Sequence, residues 1–142
     1  MRLAQEISRQ RRVRSDLSIL IFEVDQTKKI YEKFGSEIGD SVLNKMANLI
    51  KRLIRFNDIP CRYGGEKFAV ILPDTDLEGA KTVAEKIRKS LNTQPLFNLK
   101  DVDITASLGV GLFSLNDSME QYLSLVEKRL KTAREKGNLV IF

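Results

Sequence analysis

The sequence contains no histidine, which removes the commonest general base and the commonest metal-binding side chain. Any acid–base or metal chemistry therefore falls to carboxylates, lysines and backbone groups. One cysteine, Cys61, cannot close a disulfide within the chain, and a reducing cytoplasm is the expected setting. No apolar run approaches the ~20 residues that cross a bilayer, and no leader-like pattern opens the chain, so no membrane contact is expected. Aromatic residues are missing from the basic stretch holding Arg9, Arg11, Arg12 and Arg14. Nucleic-acid binding would favour such interleaving, so this stretch reads as a solvated helix face and no nucleic-acid partner is expected. Repeats, low-complexity tracts and linker-like segments are absent too, which makes residues 1–142 one domain.

What remains is an ordinary globular composition: 42% hydrophobic, 30% charged, with a formal charge of +5. Residues 2–14 read as a polar helix. Ser18–Val24 (SILIFEV) is a nearly continuous apolar run, the mark of a central strand buried on both faces. Gln26–Phe34 reads as a short helix stopped by Gly35. Ser36 can cap a second helix whose apolar positions Ile38, Val42, Leu43, Met46, Leu49, Ile50, Leu53 and Ile54 follow the helical period. That helix must end near Asn57–Pro60, because proline disfavours helical geometry in the residue before it.

Two strand-like runs, Cys61–Tyr63 and Phe68–Leu72, flank Gly64 and Gly65. Paired glycines supply the positive φ of a tight hairpin turn. Thr75 and Glu78 have capping-box spacing ahead of a helix carrying Leu77, Ala80, Val83, Ala84, Ile87 and Leu91. Val102–Phe113 suggests two short strands, the second punctuated by Gly109 and Gly111. Ser118 and Gln121 make another capping box, opening a helix to about Glu135 with Gly137 as its stop, before a last strand at Leu139–Phe142. Hairpins mixed with crossover helices imply an α/β (α+β) layer fold, a central mixed sheet flanked by helices.

Two places carry candidate chemistry. Glu23 and Asp25 lie two residues apart at a strand end and share a face. Buried like charges need a cation, which suggests a hard metal such as Mg²⁺; alternatively one carboxylate caps the helix near Gln26 and the other meets solvent. In the hairpin, Gly64 and Gly65 let a flat or anionic group approach the backbone. Glu66 follows, a third carboxylate if hairpin and strand are neighbours. A plain turn with exposed Glu66 and Lys67 is the other reading.

RYGGEKF resembles the signature hairpin of the GGDEF family, the diguanylate cyclases. EVDQTKKIYEKFGSEIGDSVL is similar to that family's first-strand segment, with Asp25, Lys28, Ile30, Gly35, Gly39, Asp40 and Leu43 in register. ITASLGVGLF resembles its later strand, and the final helix with GNLVIF its ending. The family's upstream Asp-x-Leu-Thr segment is missing, as if the sequence began just inside the domain. The resemblance implies a nucleotidyl-cyclase-like fold with GTP and cyclic di-GMP as nucleotide partners, a homodimer in the full-length protein, and an upstream sensory or receiver domain. It implies Mg²⁺ (or Mn²⁺), if the domain is catalytically competent, held by Glu23, the Val24 carbonyl and Glu66, with Glu66 also activating the attacking hydroxyl. Asp40 would receive guanine, Gly64 and Gly65 would let the backbone near the ribose and phosphates, and Arg134 would supply a charge to the phosphates. Lys67, standing where the family has an acid, would oppose the metal or instead pair with a phosphate or with Glu66. Arg55 and Asp58 form an Arg-x-x-Asp that resembles the family's inhibitory cyclic di-GMP site.

The sequence departs from the family pattern where Glu23 replaces Asp, Tyr31 replaces Asn, Lys67 replaces a second hairpin acid, and the phosphate clamp is reduced to Arg134…Gly137-Asn138. Together these substitutions imply a cyclase activity that is weakened or lost, beside retained binding of cyclic di-GMP. An active cyclase and a nucleotide-free dimerisation or relay module are the alternatives.

Overall fold

The computed structural model describes residues 2–93, 99 and 103–142. At its centre is β1 (Leu17–Val24), whose eight residues are all buried. A strand without a polar face must be covered on both sides, and β1 is the middle of the sheet. Among the described residues the sheet has five strands in the order β2-β3-β1-β4-β5, with β2 at Ile59–Arg62, β3 at Lys67–Pro73, β4 at Ala106–Leu112 and β5 at Val140–Ile141. β3 and β4 run antiparallel to β1, β2 antiparallel to β3, and β5 parallel to β4. The sheet is therefore mixed and flanked by helices, as expected.

Alternation along β1 divides the core in two. Leu20, Phe22 and Val24 meet α2 (Thr27–Leu53) and α3 (Leu77–Thr93), through Met46, Leu49, Ala84 and Ile87. Leu17, Ile19 and Ile21 face α1 (Arg2–Val13) and α4 (Met119–Lys136), through Leu3, Ile7, Val126 and Leu130. Each of these large side chains contributes about 1.5–3 kcal/mol by leaving water. Glu23 and Asp25 continue the second series, so both carboxylates leave the strand on the α4 side.

The two helices expected on either side of Gly35 are the halves of α2, which breaks at Gly35 with φ 85° and ψ 170°. Helix α4 ends at Gly137 (φ 78°) and starts with the anticipated capping box, Ser118 N donating to Gln121 Oε1 and Gln121 N to Ser118 Oγ. Other boundaries differ from the sequence reading. Helix α3 is capped by Asp76, whose Oδ1 accepts from Gly79 N at 2.8 Å. Thr75 is buried one residue earlier, and its hydroxyl donates to Pro73 O and accepts from Arg55. The first strand run expected in Val102–Phe113 does not form over 103–105, although Ile104 is buried; Val102 lies outside the described residues. The basic face of α1 is partly engaged: Arg9 pairs with Asp74 at 3.2 Å, and Arg11 lies over the Phe113 ring. Among the described residues no helix is long and apolar enough to cross a membrane.

Candidate functional site

The β1–β3 register sets Glu23 opposite Lys67, so the acidic end of β1 and the hairpin are neighbours. Gly64 and Gly65 have φ of 65° and 67°, the left-handed region where a side chain is strained. Tyr63 N donates to Lys67 O at 2.8 Å and closes the hairpin, while Arg62 Nε donates to Gly65 O. Glu66 sits exposed beside the glycines.

The charges here are already matched within the chain. Glu23 is buried, and its Oε2 lies 3.1 Å from Arg134 Nε on the last turns of α4. Lys67 Nζ lies 3.0 Å from Glu127 Oε2, two turns earlier on the same helix. Burial and the nearby Glu23 raise the Glu127 carboxyl above its usual range, with Arg134 opposing them. Lys67, Ser124, Glu127, Lys131 and Arg134 line a depression of about 510 Å³. The sequence reading placed Lys67 and Arg134 here and missed Glu127. Its seven-residue spacing from Arg134 was the available signal, since residues two turns apart share a helix face.

Asp25 does different work from Glu23. Its Oδ1 accepts from Ser107 Oγ at 2.5 Å, and its Oδ2 accepts from Thr105 Oγ1 at 2.6 Å and Asn138 N at 2.8 Å. One carboxylate thus joins the end of β1 to the start of β4 and to the turn after α4. Neither carboxylate caps α2. Gln26 precedes it in a left-handed conformation without a side-chain cap, and Thr27 Oγ1 donates back to Val24 O at 2.7 Å. Among the described residues no three His, Cys, Asp or Glu side chains converge as a metal cluster would need. Arg134 sits on Glu23 and Thr27 Oγ1 on the Val24 carbonyl, so a cation held by Glu23, Val24 O and Glu66 would have to displace Arg134 from Glu23.

At the kink of α2, Tyr31 Oη donates to Asp40 Oδ1 at 2.5 Å. The phenol is pushed up to about 12, first by this hydrogen bond, then by burial and by the charges of Asp40 and Glu66, with Arg62 opposing. The ring covers Gly39, where an added Cβ would fall 2.7–2.8 Å from three of its carbons. Tyr31 and Asp40 were singled out separately from sequence; their contact depends on the Gly35 kink and was not foreseen.

On the far side of the domain, Asp58 is enclosed by Arg55. Arg55 N donates to Asp58 Oδ2 at 2.9 Å and Arg55 Nη2 to Oδ1 at 3.1 Å, and Nη2 also donates to Pro73 O. The Asp58 side chain is 0% exposed, whereas that of Arg55 is 60% exposed. The turn borders a cavity of about 520 Å³ whose lining includes Arg2, Glu6, Arg9, Phe56, Asp58 and Asp74.

A family model described as "Diguanylate cyclase, GGDEF domain" matches residues 1–139. Diguanylate cyclase DgcP of Pseudomonas aeruginosa is 33% identical over 137 residues, covering 96% of this chain and 20% of that protein. Response regulator PleD of Caulobacter vibrioides is 36% identical over 125 residues, covering 85% of this chain and 28% of that protein. The chain therefore spans between a fifth and a third of these relatives. Among solved structures, the active GGEEF domain of a diguanylate cyclase from Vibrio cholerae superposes with a TM-score of 0.90 at 28% identity, covering 96% of this chain and 88% of that one. The hairpin sequence, the sheet that carries it and the match along nearly the whole chain agree, and the chain belongs to the GGDEF family.

Proposed function

We propose that this domain serves cyclic di-GMP signalling with a weakened or lost cyclase activity, and that it binds cyclic di-GMP at the Arg55–Asp58 turn. The observation that carries the first half is the charge pairing at the hairpin. Glu23 is held by Arg134 and Lys67 by Glu127, so the groups expected to handle metal and phosphate are engaged with each other. Phosphoryl transfer depends chiefly on positioning and charge neutralisation, and committed charges supply neither without rearranging.

The second half is supported by the cavity beside the turn. Arg55 is the exposed member of the turn and lines a smaller neighbouring cavity of about 220 Å³ with Phe56, Asn57, Pro73 and Asp74: a planar guanidinium suits a phosphate or the Hoogsteen edge of guanine. Asp58 anchors Arg55 from below and meets a ligand only if Arg55 swings aside. Calorimetric titration with cyclic di-GMP tests this. Binding by the parent protein, weakened tenfold or more in Arg55→Ala, is expected; no heat, or equal binding by the variant, ends the reading.

An active cyclase is the second reading, favoured by the closeness of the backbone to an active GGEEF domain. Glu66 would then be the catalytic carboxylate, with Mg²⁺ or Mn²⁺ as its metal and Gly64, Gly65, Lys67 and Arg134 against the nucleotide. Incubation of the full-length protein with GTP and either metal, assayed for cyclic di-GMP, decides between the two. A homodimer and an upstream sensory or receiver domain belong to this proposal as well.

A further inference from the structure

We propose that Tyr31 is a built-in plug of the hairpin site, an occupant from the chain's own helix that holds the place and the acceptor a guanine base would use. The inference rests on the assignment of Asp40 as the base acceptor and adds what now sits on it.

Guanine presents two adjacent N–H donors that a carboxylate receives as a fork, one on each oxygen, and a donor already seated on one oxygen competes with that fork. Asp40 Oδ1 accepts from the Tyr31 hydroxyl at 2.5 Å. The base also needs a flat surface. Gly39, directly before Asp40, exposes bare helix backbone without a Cβ, and the phenol ring covers it closely enough that a methyl group there would overlap three ring carbons. The ring packs against the core cluster that includes Ile30, Val42 and Leu43, so it is seated and does not dangle in solvent. The hairpin stands near enough for Glu66 and Arg62 to act on the phenol electrostatically. A phenol thus reproduces both halves of base recognition, a donor on the carboxylate and an aromatic face on the glycine.

The hydroxyl bond is solvent-exposed, and water competes for it, so most of the barrier to a base is the seated ring. Unseating a half-buried aromatic side chain weakens binding by about tenfold. An asparagine at this position leaves Gly39 open and offers an amide without filling the space.

The test is titration with GTP of the parent chain, of Tyr31→Asn, and of Tyr31→Asn combined with Asp40→Ala. The proposal expects the single variant to bind GTP about tenfold more tightly than the parent, and the double variant to lose that gain. Equal GTP affinity in parent and Tyr31→Asn overturns the plug while leaving the nucleotide site standing. No binding by either protein overturns the plug together with the assignment of Asp40. The contact has its own readout in the ultraviolet titration of the phenols. One tyrosine should ionise near 12 in the parent and move back towards 10 in Asp40→Asn, and an unchanged titration curve would remove the contact on which the proposal stands.

Discussion

Replacing Gly109 with alanine should destabilise the domain and loosen the hairpin site from behind. Gly109 lies in β4 opposite Ile21 of β1. A Cβ built there falls 2.4 Å from the carbonyl oxygen of Val126 and 2.6 Å from the nitrogen of Leu130. Both are backbone atoms of α4, so no change of rotamer relieves the overlap. Ordinary contact begins at 3.4 Å, and the helix would have to withdraw by about 1 Å, a separation that a core packed at crystal density does not absorb freely. Overpacking of this kind costs about 1–3 kcal/mol. Without the clash, alanine in place of glycine would be neutral or favourable by up to about 1 kcal/mol through the unfolded chain, so the sign is diagnostic.

The control is Gly111→Ala in the same strand. There the close atom is Val126 Cγ2 at 2.6 Å, a methyl at the edge of a stiff buried side chain and not helix backbone, so a tilt of that side chain gives part of the space and the cost should be smaller. For a domain of this size about 1 kcal/mol corresponds to roughly 3–5 °C in Tm, so thermal unfolding followed by circular dichroism should place Gly109→Ala several degrees below Gly111→Ala. Helix α4 also carries Glu127 and Arg134, and its withdrawal should lengthen both pairs to β1 and β3, visible as faster amide exchange at the hairpin. Gly109→Ala unfolding at or above the parent temperature would refute the close backbone packing.

Asp25→Ala should cost about 2–3 kcal/mol in chemical denaturation, because it leaves the fully buried Ser107 hydroxyl only its longer 3.4 Å contact with Ala133 O and frees the Thr105 side chain and Asn138 N–H; a loss below about 1 kcal/mol would mean these donors find other partners. Gly64→Ala should cost about 1–2 kcal/mol from its φ of 65° alone, since nothing lies within 4 Å of the added Cβ; a larger loss would point to a clash that the open turn does not contain. Glu127 has a folded-state pKa above its unfolded one, so its contribution to stability is complete below the ordinary carboxylate value and declines as pH rises through the raised one. Glu127→Gln should flatten the stability profile across that window, and an unchanged slope there would show that Glu127 is not the group responsible.

What the sequence made legible was what short-range physics dictates. SILIFEV could only be a doubly covered strand, the period of α2 named its buried face except for Ile38, which stands exposed beside the Gly35 kink, the paired glycines required a hairpin, and Ser118 with Gln121 fixed the start of α4. Thr75 misled because its hydroxyl suits a cap equally well, and only the arrival of Arg55 and the burial of the turn gave that place to Asp76. Glu23 and Asp25 looked like equal partners, yet Asp25 is claimed by Thr105 and Ser107, some eighty residues further along. The contacts of Lys67 with Glu127 and of Glu23 with Arg134 depend on how α4 crosses the sheet, and that crossing is set by a missing side chain at Gly109. No local pattern encodes it.

The same crossing decides how the hairpin site can respond to a ligand. On the proposed nucleotide reading, a ligand at the hairpin would meet Arg134 on Glu23, Glu127 on Lys67 and Tyr31 on Asp40, each an interaction the chain would have to surrender. The half-exposed Lys67–Glu127 pair is worth about 1 kcal/mol or less and the Arg134 pair more, because Glu23 is buried; a ligand of matching charge can displace them, but together they lower an affinity by ten- to a hundredfold. The penalty falls most heavily on ligands that bring little charge of their own. A triphosphate accompanied by a divalent cation replaces both partners of each pair at once, whereas a nucleoside or monophosphate replaces only one. The hairpin should therefore discriminate among guanine nucleotides by phosphate number more steeply than a site whose charges stand free, and the difference should shrink as salt weakens the pairs.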